Sequence, residues 1–217
     1  MCGRFYLTAG AEEVKAAFNL QRLPNYETSY NIPPGQNILA IMKLDEDGFK
    51  AVNLHWGLIP HWSKDHKISH HLINARAETV AQKPAFRSAY QQRRCLIPVN
   101  GFYEWHQLEQ HKQAYSIARE DQQLFALAGL WEYWQHNSET LYSCTIITTT
   151  ANEFMSTIHQ RMSVIIGNQH YNQWLDKQTP TDELKRLLRI DAYQDMTFKP
   201  VSDWVNNPRH DDKNCLS

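Results

Sequence analysis

No apolar run in this chain reaches the roughly 20 residues of a membrane-spanning helix, so no helical span is expected. The opening stretch, MCGRFYLTAG, lacks a basic segment followed by an apolar one, so no secretory signal is expected either. Cysteines are few. Cys2, Cys95, Cys144 and Cys215 fit neither a zinc-finger spacing nor a small-domain disulfide framework, which points to reduced thiols in the cytoplasm. Charge of one sign is also lacking: 22 Lys and Arg face 23 Asp and Glu, for a net charge of −1. That excludes a global basic field, so contact with nucleic acid must use a local patch of scattered arginines. There is no internal repeat, no low-complexity tract and no linker rich in Gly, Ser or Pro. A single domain over residues 1–217 is expected, with the last few residues disordered. Five of the eleven histidines crowd between His55 and His71. Their positions (His55, His61, His66, His70, His71) match no HExxH motif or Cys/His finger, so neither a metal nor another cofactor is expected.

What is present is ordinary globular material: 42% hydrophobic residues in 217, enough to bury a core without covalent staples. Residues 3–7 read as a short strand and 11–19 as a helix with Val14, Ala17 and Phe18 on one side. Residues 37–44 and 49–56 flank Asp45-Glu46-Asp47-Gly48, a hairpin signal. A helix is expected to begin near Pro84. RCLIPV, GFYEWH, QAYSIA, QLFALAGLWEYW and LYSCTIITT are short strand-like runs; NEFMSTI and TDELKRLLR read as helices; MSVII and TFKPVS are late strands. Strands and helices do not alternate, which argues against a parallel βαβ sheet. The expected fold class is α+β, with an antiparallel β-barrel-like core and helices packed outside it.

Cys2 has distinctive chemistry. If Met1 is trimmed, Cys2 carries a free α-amine and a thiol on adjacent carbons, a 1,2-aminothiol. The amine attacks an aldehyde to give an imine, and the thiol then closes a five-membered thiazolidine. The α-amine, with a pKa of about 7.7–8.0 against about 10.4 for lysine, offers roughly a hundredfold more neutral amine near pH 7. By itself, cysteine at position 2 equally fits a small residue kept for processing, or a small buried hydrophobe.

Three further segments place polar residues at strand ends. In Leu72–Thr79, Asn74, Arg76 and Glu78 alternate and share one face of an extended chain. Arg76 offers a rigid donor fork suited to phosphate; an exposed face with a salt bridge fits equally. Glu104 sits inside the aromatic run Gly101–Trp105. There a carboxyl pKa would rise toward neutrality and suit a general acid–base, unless the side chain faces solvent or meets a structural arginine. His159 ends the stretch Thr148–Ile158 and precedes Arg161. Its imidazole suits proton transfer near pH 7, and a histidine at a helix end also serves as a dipole partner.

Together, Met1–Phe5, Tyr30–Gly35, Trp56–Pro60, Ile73–Thr79, Gly101–Trp105 and Ile158–Met162, followed by Pro200–Ser202 and Val205–Asn207, resemble the SRAP family. That family takes its name from an SOS-response-associated peptidase description. The resemblance covers nearly the whole chain, in order, and is to a bacterial member. It implies the SRAP fold and a protein that senses abasic sites in single-stranded DNA and shields them as a thiazolidine crosslink on Cys2. By the same resemblance the catalytic residues are Cys2, Asn74, Glu104 and His159. Asn74 orients the sugar and N-terminus, Glu104 serves ring opening and imine formation, and His159 assists sugar opening and reversal. Arg4, Asn31, Arg76, Trp105, Thr148 and Arg161 would line the DNA path, and Pro34 with Trp62 would form a wedge at single-strand/double-strand junctions. The implied protein is a monomer, nucleoid-associated when on DNA, lyase-like, with autoproteolytic peptidase activity as an accompaniment. Two departures stand out: Ser163 follows His159–Met162 where the family usually has proline, and Ser63-Lys64-Asp65 follows Trp62 where aromatics often continue. A cysteine peptidase using Cys2, and a non-covalent binder of damaged DNA, are the competing functions.

Overall fold

The computed structural model describes residues 2–43, 48–137, 139–190 and 192–217. Among them the strands are β1 (Phe5–Leu7), β2 (Ser29–Ile32), β3 (Asn37–Lys43), β4 (Phe49–Trp56), β5 (Asn74–Arg76), β6 (Arg94–Val99), β7 (Gly101–Gln107), β8 (Lys112–Arg119), β9 (Phe125–His136), β10 (Glu139–Thr150), β11 (Arg161–Ser163), β12 (Ile165–Ile166) and β13 (Met196–Pro200). The helices are α1 (Ala11–Phe18), α2 (Arg87–Gln92), α3 (Glu153–Ser156), α4 (Tyr171–Leu175) and α5 (Thr181–Leu187).

Five strands close on themselves in the order β10-β4-β3-β6-β9 and back to β10. This is the expected barrel, in a single domain. Its pairings are antiparallel except for the β4–β10 seam, which is parallel, with Ser143 opposite His55 and Cys144 opposite Trp56. Hairpin signals report only local, antiparallel pairings, whereas a parallel pair needs a long crossover that leaves no turn signature. β6 reads as apolar throughout because both its faces are covered, one by the barrel interior and the other by α2 and α4. Pro98 is tolerated there: β6 meets β3 only at Leu96, so the missing N–H lies beyond that pairing.

A second, five-stranded antiparallel sheet, in the order β13-β8-β7-β1-β2, packs beside the barrel. The two meet where Phe5 tilts onto Trp56, ring centroids 5.1 Å apart. β1 carries the chain start directly into this junction. The helix expected near Pro84 begins three residues later, at Arg87, because 84–86 turn before settling into helical pairing. Of the hairpin signal Asp45-Glu46-Asp47-Gly48, all but Gly48 lies outside the described residues. The expectation of a disordered C-terminus meets a different arrangement. Cys215 is buried against the His210 carbonyl, and the Ser202 N–H donates to the Ser217 carbonyl at 2.8 Å. Polar composition hid this, because the segment is held by backbone and Asx contacts and only lightly by apolar burial. Among the described residues no helix is long and apolar enough to cross a membrane.

One buried cation holds the outer layer. Arg94 donates to the carbonyls of Tyr90 (2.7 Å), Gln91 (2.6 Å), Trp174 (2.6 Å) and Asp176 (2.6 Å), so it caps the C-terminal ends of α2 and α4 together. Burial pulls its pKa down to about 10, still far enough above neutrality to keep the charge. Arg94→Ala would strand these acceptors and is expected to cost on the order of 3 kcal/mol, read as a lower urea midpoint at unchanged slope. Arg94→Lys should recover less than half, because an ammonium cannot fork to four carbonyls. A midpoint within error of wild type for the alanine variant would contradict this role.

Candidate active site

The start of β1, the end of β7, β5 and the loop after α3 converge on Cys2. Its side chain is fully buried. Asn74, at the head of β5, donates through Nδ2 to the Cys2 carbonyl at 2.8 Å, so it fixes the backbone of the second residue. β5 is short but rigidly registered: Asn74 lies opposite Ile146 and Arg76 opposite Thr148 on β10. Burial pushes the Cys2 thiol up to about 12; the Ser163 hydroxyl pulls it back somewhat, and the Glu104 charge adds to the rise.

Glu104 is 2% exposed on β7, opposite Tyr115 of β8. Burial raises its carboxyl pKa, while neighbouring positive charge, His159 included, pulls the other way. A carboxyl whose acid form is favoured by burial, set beside an imidazole, is equipped to move protons.

His159 reaches this pair from the loop after α3. Asn152 caps that helix by accepting the Met155 N–H at 2.9 Å, and the His159 N–H in turn donates to the Met155 carbonyl. His106 of β7 lies 3.2 Å from the Ile158 carbonyl through Nδ1, which ties the loop to the strand bearing Glu104. The Nδ1 of His159 accepts the Arg161 N–H at 2.9 Å and lies 3.0 Å from the Arg161 carbonyl. Accepting at Nδ1 leaves the proton of the neutral ring on Nε2.

The remaining sequence-derived residues divide into two groups around this centre. Arg76, Thr148, Thr150, Arg161 and Ser163 share a face with Asn74, because β5, β10 and β11 pair with Thr148 opposite both Arg76 and Ser163 and with Thr150 opposite Arg161. Arg76 is exposed there and, among the described residues, has no ion-pair partner. Arg161 is held bidentately by Glu78 (2.6 and 3.0 Å) and also donates to the Thr148 carbonyl at 2.8 Å. That clamp holds the Glu78 carboxyl down at about 2. Thr148 itself is buried.

On the other side, Arg4 lies 5.9 Å over the Trp105 ring and donates to Asn31 Oδ1 at 2.7 Å and to the Val205 carbonyl at 3.1 Å. Asn31 is buried, and its Nδ2 is spent on the carbonyls of Val205, Asn207 and His210. It therefore acts on the site by holding Arg4 to the C-terminal segment. Trp105 donates to Asn206 Oδ1 at 2.7 Å. Pro34 and Trp62 sit on loops beside the end of β4; the Gly35 N–H donates to the Trp56 carbonyl, and Trp62, 52% exposed, follows six residues later.

Sequence reasoning gave no role to Ser163, and it left Glu78 as one end of an unassigned salt bridge. Only the register of three strands distant in sequence reveals these contacts. Of the histidines of 55–71, His61 places Nδ1 3.2 Å from the buried carboxylate of Glu132, which Arg93 also binds at 2.8 Å. Among the described residues no group of three His, Cys, Asp or Glu is placed to hold a metal ion.

A buried cysteine at the second position, an asparagine on its carbonyl and a glutamate–histidine pair beside it, all at the junction of a mixed barrel and an antiparallel sheet, define a class that comparison with other proteins identifies. The model of the family described as SOS response associated peptidase (SRAP) matches residues 1–208, and the chain belongs to this family. It is similar to the abasic site processing protein YoaM of Bacillus subtilis (strain 168), 44% identical across 100% of this chain and 97% of the relative. It is also similar to the abasic site processing protein HMCES of Xenopus tropicalis, 31% identical across 100% of this chain and 78% of that protein. A crystal structure of a Bacteroides thetaiotaomicron protein superposes with a TM-score of 0.87 at 25% identity, covering 100% of this chain and 99% of the other.

Proposed function

We propose that the protein processes abasic sites in single-stranded DNA by capturing them covalently on Cys2 after loss of Met1, as part of DNA repair. The observation that carries this reading is the convergence of Asn74, Glu104 and His159 on the second residue of the chain. The names of its relatives as abasic site processing proteins support the substrate.

An abasic deoxyribose in its open form presents an aldehyde. The Cys2 amine adds to that carbon, the carbinolamine loses water, and the imine forms. The thiol then adds to the imine carbon: the C–S bond forms, the C=N π pair moves to nitrogen, and the sulfur's proton ends there. Glu104 supplies the acid–base function for ring opening and dehydration, and His159 serves sugar opening and reversal. Asn74 holds the Cys2 carbonyl so that amine and sulfur reach the same carbon; closure within one residue has an effective molarity of about 10⁵ M or more.

The raised thiol argues for this order of steps. A cysteine peptidase needs a thiolate at neutral pH, held down by cationic neighbours. Cys2 is instead pushed up by burial, which suits a group that waits while the amine reacts first. The test is incubation with an abasic single-stranded oligonucleotide, then denaturing electrophoresis. A stoichiometric, denaturant-resistant adduct is expected; turnover of a peptide without adduct would contradict the proposal.

The DNA path runs along the face of Arg76, Thr148 and Arg161 and past Arg4 and Trp105. With a net charge of −1 the contacts are few and the salt dependence modest. Arg76→Ala should weaken single-strand binding alike on all sequences and lower the salt slope by about 0.7, the share of one phosphate. Arg161→Ala should change the slope less, because Glu78 already occupies that guanidinium. An unchanged slope for Arg76→Ala would move the path elsewhere. Pro34 and Trp62 serve in this reading as the wedge at a junction; Trp62→Ala should reduce capture next to duplex and leave capture in a plain single strand unchanged.

A further inference from the structure

We propose that Ser163 is a positioning residue for the Cys2 thiol: its hydroxyl donates a hydrogen bond to the sulfur as the S–H proton departs. This rests on the covalent-capture reading above.

Three observations carry it. The β10–β11 register sets Ser163 opposite Thr148, on the face that also holds Asn74, so the serine points toward the side from which Cys2 is held. Its residue is fully buried, and its Oγ finds no close hydrogen-bond partner among the described residues. Buried hydroxyls almost always have such a partner, and one that does not calls for an explanation, of which a role in the chemistry is one. The Cys2 thiol, held from that side by Asn74 through its own carbonyl, is buried as completely as the serine and is the group the Ser163 hydroxyl acts on. The backbone leaves the side chain little choice of direction: the Tyr193 hydroxyl donates to the Ser163 carbonyl at 2.7 Å, and the following Val164 N–H donates to the Ile147 carbonyl at 2.9 Å.

The need for such a donor follows from the burial of the sulfur. Removing a thiolate from water disfavours it, and the Ser163 hydroxyl is the foremost group opposing that effect. During closure the hydroxyl keeps its own proton. The sulfur's proton passes to the imine nitrogen as the C–S bond forms, so the serine is neither consumed nor charged. Asn74 then fixes the carbonyl end of Cys2 and Ser163 the sulfur end.

The experiment compares wild type, Ser163→Ala and Ser163→Thr in their Met1-free forms. Borohydride trapping reads imine formation, denaturing electrophoresis reads closure to the stable adduct, and fluorescence anisotropy reads affinity for an uncleaved single strand. Ser163→Ala should close roughly tenfold more slowly at each pH below the thiol's titration, the effect of one hydrogen bond to a charged group. Imine trapping and DNA affinity should stay at wild-type levels, and Ser163→Thr should restore closure. Closure at the wild-type rate in Ser163→Ala would overturn the proposal. So would equal losses of imine, closure and affinity, which mark a packing defect. Alkylation of Cys2 by iodoacetamide, followed by peptide mass, needs no DNA and separates this inference from the reading beneath it. If wild type makes no adduct, the capture reading fails; slower alkylation in Ser163→Ala then still supports the serine's role, and equal alkylation rates overturn it.

Discussion

Cys2→Ala is expected to abolish the denaturant-resistant DNA adduct altogether while leaving DNA affinity intact. The alanine variant keeps the α-amine, so borohydride should still trap an imine, but without the thiol the imine hydrolyses on denaturation. Cys2→Ser should give a ring that forms more slowly and lasts less, because a hydroxyl is the poorer nucleophile. This graded series separates the contributions of amine and sulfur. A stable adduct surviving in Cys2→Ala would place the nucleophile elsewhere. The other cysteines are poor substitutes, since Cys95, Cys144 and Cys215 lie inside the chain with their nitrogens in amides and cannot close a thiazolidine.

Glu104→Gln is expected to slow adduct formation by about 10²–10⁴-fold, the usual contribution of a positioned acid–base group. Glutamine keeps the shape and the burial but cannot exchange a proton. The sign of the pH effect follows from the direction of the shift. Burial raises the carboxyl above its ordinary range, so the acid form persists toward neutrality and is lost as pH rises through the raised value. The amine requirement works oppositely, with activity rising as the α-amine loses its proton near pH 7.7–8.0 or so. Wild type should therefore show a bell-shaped single-turnover profile between about pH 5 and 9, and Glu104→Gln should lose the falling limb. His159→Ala should change lesion opening and adduct release more than initial binding. A Glu104→Gln profile matching wild type in rate and shape would make Glu104 a structural carboxyl.

Much of the architecture was legible because it is local. α1 is readable from the spacing of Val14 and Phe18, both buried, and the β3–β4 pairing from the two runs around Gly48. The barrel class followed from closely spaced strands without alternating helices. The closing seam was not legible, since Ser143 and His55 lie 88 positions apart and no turn residue announces their pairing. The site divides the same way. Cys2, Glu104 and His159 could be named as candidates from chemistry, each beside a structural alternative: a thiol at the second position, a carboxylate among aromatics and a histidine after a short helix. Their meeting could not be read, because it depends on β1 and β7 pairing at Phe5 and Phe102 and on His106 tying the 158–161 loop to β7. The hold of the Asn31 amide on three carbonyls of the C-terminal segment could not be read, because these partners lie more than 170 positions away. The clamp of Arg161 by Glu78 likewise appears only once β5 and β11 flank β10.

The central claim is that Cys2, exposed by loss of Met1, is the residue that captures the lesion. Intact mass spectrometry before and after incubation with an abasic single-stranded oligonucleotide, followed by peptide mapping, tests it most directly. The expected result is a protein lacking Met1 that gains the mass of one oligonucleotide less one water, with the added mass on the peptide beginning at Cys2. A protein that forms the adduct with Met1 still attached, or that carries the added mass on any other residue, would contradict it.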